Sequence, residues 1–245
     1  MSEHDFTQYM MPDPDGVLRM CGLEKRTTEI GGITYLRDGV PCAVPQWKSD
    51  ELPDCPVIPR PEWRTTEDMR QWEWSNRYQN GYPACCLAAL CGAVEFFLAK
   101  NNRARTKLDW LRAWKDITGG RGGAAVDHAL AYAMEKGLPL ADGSGTIKII
   151  EAWDSPSVDA FASGLQKDCT GVACHDVHAE CVVGLDVSGS KPCVQMVNSH
   201  HQDLGGANWH LFPVDSIELS SYGAILIREV ELRKIDVPNY PDVKE

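Results

Sequence analysis

The chain has no apolar run near the roughly 20 residues that a membrane-crossing helix needs, no internal repeat and no low-complexity segment. With 43% hydrophobic residues in 245, it is also not short of the material for one sizeable core, so disorder as the main state is excluded. Positive charge is scarce: 24 Lys and Arg stand against 35 Asp and Glu, a formal net charge of −11. Such a field repels phosphate backbones and anionic lipid, so neither nucleic acid nor a membrane surface is an expected partner. The N-terminus, MSEHDFTQYMMPDPDG, lacks a basic segment followed by an apolar one and does not read as a secretion signal. Ten cysteines, about 4% of the chain, fall far below the density of a small disulfide scaffold. The expected setting is therefore cytoplasmic or another reducing compartment, with a soluble chain and most thiols free.

What is present divides the chain in two. Residues 1–57 show no helical periodicity and are punctuated by prolines, and within them GGITYLRDGVP (31–41) reads as a short hairpin. This part is expected to be an extended N-terminal arm, and 58–245 a folded domain. CCLAALCGAVEFFLAK (85–100) is apolar on nearly every face, which predicts a helix at the centre of a core. Further helices are predicted over 106–117, 124–136 and 157–165, and strands over 170–174, 179–187, 192–197, 208–212 and 222–231. Helices lead and an antiparallel sheet follows, the α+β pattern. Trp72, Trp74, Trp110 and Trp114 read as core or groove-wall aromatics, and Cys91 and Cys181, inside apolar runs, as small buried hydrophobes.

One cysteine stands differently. A nucleophilic thiol needs a helix N-terminus to favour its thiolate, an imidazole to take its proton and a group that orients the imidazole. Cys85 opens the buried helix directly after Tyr-Pro-Ala, where the dipole favours negative charge and backbone N–H groups can cradle an oxyanion. Gln79, six residues earlier in a Gln-Asn-Gly turn, can return a side-chain amide to the same spot.

Gln79 and Cys85 keep the offset of the nucleophile region of the papain-like cysteine peptidases, in outline Gln-Gly-x-Cys-Gly-x-Cys-Trp-Ala-Phe-Ser-x-x-Gly-x-x-Glu. Gly92, Ala93 and Glu95 also fall where that family tends to have them. Gly119-Gly120-Arg121-Gly122-Gly123 with AAVDHALAYAMEKGLPL resembles the family's Gly-Gly segment and following helix. His178-Ala179-x4-Gly184 resembles its His-Ala strand, and Asn198-Ser199 its Asn-Ser-Trp-Gly motif, with Gly205 and Trp209 further on. The resemblance runs from about residue 58 to 230. It implies a papain-like fold, with a helical subdomain around the long central helix and an antiparallel β-sheet subdomain. It also implies hydrolysis of a peptide or protein substrate by a Cys-His-Asn centre. Cys85 would be the nucleophile, His178 the general base and then acid, and Asn198 the residue that orients the imidazole. Gln79 and the Cys85 N–H would form the oxyanion hole. Gly122 and Gly123 would pair with substrate backbone, and Ala124, Ala125 and Ala179 would line a roomy apolar pocket.

The chain also departs from the pattern. Tyr82 occupies the place of a disulfide cysteine, Cys86 that of a tryptophan after the nucleophile, and His200 that of the tryptophan shielding the orienting asparagine; Leu204 replaces another tryptophan. The His178–Asn198 bond is thus expected to be wetter, and the cleft more open, because 93 residues separate Cys85 from His178 where the family outline has about 130–150. Residues 1–57 do not resemble the family's helical inhibitory propeptide. Cys169-x4-Cys174-His175-x2-His178 and His200-His201 carry ligand-type side chains, but not with the paired C-x2-C spacing of structural zinc, so no metal and no cofactor is expected. Two other readings stand beside the peptidase. One is another thiol acyl-transfer enzyme, amidase or transglutaminase in kind. The other is a catalytically idle papain-fold component of a multiprotein assembly or virus particle, with the arm docking on protein partners.

Overall fold

Helix α1 (Cys85–Asn102) is the axis of the molecule, and every residue from 85 to 99 is buried. A helix apolar all round can be stable only where it is surrounded, which is why this segment sits at the centre. The computed structural model describes residues 52–72, 78–79, 81–102, 105–175, 178–200, 208–217 and 224–234, with five short strands in the first 35 residues.

The other helices start and stop where their capping groups dictate. Helix α2 (Trp110–Thr118) begins four residues later than expected, because the Asp109 carboxylate accepts the Arg112 N–H at 3.0 Å, and it ends at Gly119 with φ 66°. Helix α3 (Val126–Glu135) loses the first two residues predicted for it. Ala124–Ala125 are extended instead and make a strand. Helix α4 (Val158–Leu165) begins after Ser157, whose hydroxyl accepts the Ala160 N–H at 3.1 Å.

The short N-terminal strands are β1 (Met10–Pro12), β2 (Leu18–Met20), β3 (Leu23–Glu24), β4 (Thr28–Ile30) and β5 (Ile33–Tyr35). Strands β4 and β5 form a hairpin with Ile30 opposite Ile33; only β5 falls in the segment predicted for one, 31–41, since β4 precedes it, and Asp38-Gly39 lies outside the described residues. Strand β3 pairs in parallel with β6 (Ala124–Ala125), Leu23 opposite Ala124 and Glu24 opposite Ala125. That pairing holds Ala124–Ala125 extended, and it explains the late start of α3.

The main sheet has seven antiparallel strands: β7 (Leu138–Pro139), β8 (Gly145–Asp154), β9 (Thr170–His175), β10 (His178–Asp186), β11 (Cys193–Val197), β12 (Trp209–Pro213) and β13 (Ile225–Lys234), in the order β12-β11-β10-β9-β13-β8-β7. Strand β8 is absent from the elements predicted above, although Thr146–Ile149 alternates and carries β-branched side chains. Its partner β13 shifts register between Ile227 and Val230, so the alternation does not run through. Period two divides the sheet's side chains between two cores. Val172, Cys174, Ala179, Cys181, Ile225 and Ile227 pack with α1 and α3, while Ala173, Val182, Leu185 and Leu226 pack with Phe161 and Leu165 of α4. Residues 53–55 lie along β8, where Cys55 N–H donates to Asp154 and Asp154 N–H to Pro53, both at 3.2 Å. Among the described residues no helix is long and apolar enough to cross a membrane.

Candidate active site

Cys85 is the first residue of α1, entered through a turn in which Ala84 N–H donates to Tyr82 O and Ala88 N–H to Ala84 O. The N–H groups of this first turn have no partners within the helix itself, the general property of helix starts. Both neighbouring cysteines are buried. Burial pushes the Cys86 thiol well above its usual range, with Cys85 and Cys174 adding to the rise, so Cys86 stays protonated and is a poor nucleophile. Cys85 shares a continuous buried cluster with Ala124, Cys174, Ala179 and Cys181, which sets the start of α1 against β9 and β10.

Strand β10 opens on His178, 5% exposed, whose Nε2 lies 3.1 Å from Asn198 Oδ1. The same oxygen accepts the backbone N–H of His200 at 3.0 Å. An oxygen already accepting a backbone proton must be the amide oxygen, so the ring donates to it through Nε2–H, and proton exchange falls to Nδ1. The tautomer is thus fixed by the backbone just beyond β11. His200 then lies over this bond: its ring stacks on that of His178 with centroids 4.1 Å apart and an interplanar angle of 27°, and it is 6% exposed. This corrects the expectation of a wetter bond. A flat imidazole covers His178 in place of indole, and Cys85 is fully buried.

Gln79 is tied to the same loop twice and to its own turn once. Its backbone N–H donates to Ser199 O at 3.0 Å, its Oε1 accepts the Ser199 hydroxyl at 2.6 Å, and its Nε2 donates to Tyr82 O at 2.8 Å. Gln79, at the entry to α1, and Asn198, beyond β11, are therefore held together through Ser199. Of the residues expected to bind substrate, Gly122 takes φ 67°, and its carbonyl accepts Trp114 Nε1–H at 3.0 Å. Ala124 and Ala125 form β6, on which β3 of the same chain lies, and Ala179 sits opposite Cys174.

Sequence reasoning missed several residues. Ser199 links Gln79 to Asn198, and only its place beside Asn198 hinted at a role. Glu180, two residues after His178 and 1% exposed, faces His210 Nε2 at 3.3 Å; the sign was a lone acid inside the apolar run HAECVVGL. Glu95, matched to the family pattern, has a structural role: its buried carboxylate accepts the Leu108 N–H at 2.8 Å and closes the turn after α1. Among the described residues no group of three or more His, Cys, Asp or Glu is arranged to hold a metal, and seven of the eight described cysteines are buried. A cavity of about 320 Å³ lies away from Cys85, lined by Thr66, Asp186, Gln195, Trp209 and His210 among others.

Compared by sequence, the chain matches no family model and no curated protein. Compared by structure, it is similar to procathepsin L 3 of the Tenebrio molitor larval midgut, at 17% identity and a TM-score of 0.53, covering 64% of this chain and 67% of that one. It is also similar to proCathepsin B S9 from Trypanosoma congolense, at 12% identity and a TM-score of 0.57, covering 75% and 84%. Bromelain from Ananas comosus, solved with the E64 inhibitor, shares 17% identity, with coverage of 65% and 95% and a TM-score of 0.50. At these identities the likeness is one of fold. The central helix against an antiparallel sheet, shared with those peptidases, gives this α+β chain the papain-like fold.

Proposed function

We propose that the chain is a thiol-dependent peptide hydrolase working through Cys85, His178 and Asn198. His178 Nδ1 takes the Cys85 proton, and the sulfur attacks the substrate carbonyl carbon. The oxyanion is met by the Cys85 N–H and a Gln79 amide hydrogen. Collapse expels the amine, which leaves with the proton from His178, and a thioester remains. Water then gives a proton to His178 and attacks the acyl carbon, and the carboxylic product departs as the thiol is restored. The observation that carries this reading is the 3.1 Å contact of His178 Nε2 with an asparagine oxygen whose identity a backbone N–H dictates. It is the arrangement needed to direct Nδ1 toward proton transfer.

A second reading, an idle component of an assembly, is favoured by two observations: Cys85 is fully buried and β3 lies on the strand assigned to substrate. One experiment separates the two. The full chain is labelled with iodoacetamide or an epoxide at pH 6, both intact and after limited proteolysis within residues 1–51, and modified peptides are quantified by mass spectrometry. A peptidase shows stoichiometric modification at Cys85, on the order of 100-fold faster than at Cys91 and abolished by His178→Ala. Labelling at Cys85 no faster than at Cys91 in both samples sinks the peptidase and leaves the idle component.

A further inference from the structure

His200 is more than a cover. It is an imidazole in face-to-face contact with another imidazole, both almost wholly buried. An indole in this position would be flat and permanently neutral, whereas His200 is flat and can bind a proton. Two unit charges 4.1 Å apart repel strongly enough, at an effective dielectric constant of about 20, to separate the two protonations by roughly 2–3 pH units. The rings therefore compete for one proton. Around them, Cys85 stands at the start of α1, Glu180 of β10 is paired with His210 of β12 at 3.3 Å, and the backbone of His175 in β9 lies opposite His178. The carboxylate among these groups is thus already faced by an imidazole of its own. Asn198, which touches both histidines, is neutral.

We propose that His200 is a positioning residue that shares a proton with His178. Neutral His200 holds the His178 ring flat against Asn198; protonated His200 denies His178 its own proton. This inference rests on the reading of His178 as the base of Cys85. The productive form pairs the Cys85 thiolate with protonated His178 and neutral His200. As pH falls, a proton on His200 can be accommodated only if that of His178 returns to the sulfur. The productive form is then lost at a higher pH than it would be beneath a ring that does not titrate.

The test has two independent readouts on the full chain. In the first, the ring nitrogens of ¹⁵N-histidine-labelled protein are titrated by NMR. The expected result is a two-step curve for His178 in the wild type and a single step in His200→Phe or His200→Trp, with the second wild-type step lower by roughly 2–3 pH units. A one-step His178 curve in the wild type overturns the proposal, and that outcome needs no variant to fold. In the second, the rate of Cys85 alkylation is followed against pH. The acid limb should move about one pH unit lower in His200→Phe and His200→Trp alike, while His200→Lys, a lasting cation, should suppress labelling at least about tenfold at pH 7. Identical acid limbs in wild type and folded His200→Phe would overturn it. If Cys85 fails to label at any pH, the peptidase reading fails, while the NMR curves still decide whether the two rings share a proton.

Discussion

The layer beneath α4 and the cluster at the start of α1 are built on opposite principles. Beneath α4 the fit is apolar and tight: a Cβ placed on Gly164 would come 2.2 Å from Leu226 Cδ1, and one on Gly171 would come 2.4 Å from Ile225 O. Around Gln79 and His178, by contrast, buried groups are polar. Gln79, His178, Ser199, His200 and Asn208 are each no more than 6% exposed, and their positions follow from hydrogen bonds and one ring stack. Shape holds the first region, and a damaged fit registers as lost stability. Directional bonds hold the second, where an altered group registers as a changed protonation state or an altered reactivity.

Changes confined to one region should therefore move one observable far more than the other. The largest effect is expected from Gly171→Val, which drives side-chain atoms into the β13 backbone and Phe161. Urea denaturation should show a loss of about 3 kcal/mol or more, and a loss under 1 kcal/mol would show that the α4 layer can give. Next comes Ser199→Ala, which removes the 2.6 Å bond to Gln79 Oε1. A stability loss of about 1–2 kcal/mol is expected, together with a drop of roughly tenfold in Cys85 alkylation. Loss of stability without loss of alkylation would make the Gln79 link purely structural. The smallest effect is expected on the solvent side of α4, at Arg60, which reaches Asp159 of that helix at 2.7 Å and Asp215 at 2.6 Å on the surface. Arg60 holds the Asp215 carboxyl below the usual carboxylate range. The pair therefore stabilises above the unfolded carboxylate pKa and stops doing so as pH falls through and below about 4. Because all three groups are well exposed, Arg60→Ala should cost under about 1 kcal/mol at pH 7, with no difference from wild type near pH 2.

Much of the fold was legible because its signals are local. Helix α1 needed only contiguous apolar residues, and α4 only a serine cap before Val158. Strand β8 was not, since its alternation is interrupted where β13 shifts register, and a register belongs to two strands at once. The late start of α3 has the same origin, because a strand about 100 residues earlier holds Ala124–Ala125 extended. Cys85 and Gln79 stood out as candidates at a helix start, and His178 and Asn198 through motifs that resemble those of the papain-like cysteine peptidases. The role of Ser199 was not, because it joins two segments 120 residues apart. His200 was misjudged: read as a missing indole it predicted exposure, whereas as a stacked ring it supplies the cover.

Sequence alone therefore determined which segments could be buried and which side chains could carry thiol chemistry, since apolar runs, caps and motif spacing are properties of neighbours along the chain. Tertiary structure alone decided which nitrogen of His178 is committed to Asn198, that His200 lies on its face, and that β3 pairs with β6. Each of those depends on the orientation of groups from distant segments, and a hydrogen bond or ring stack forms only when both partners have been brought to the same place.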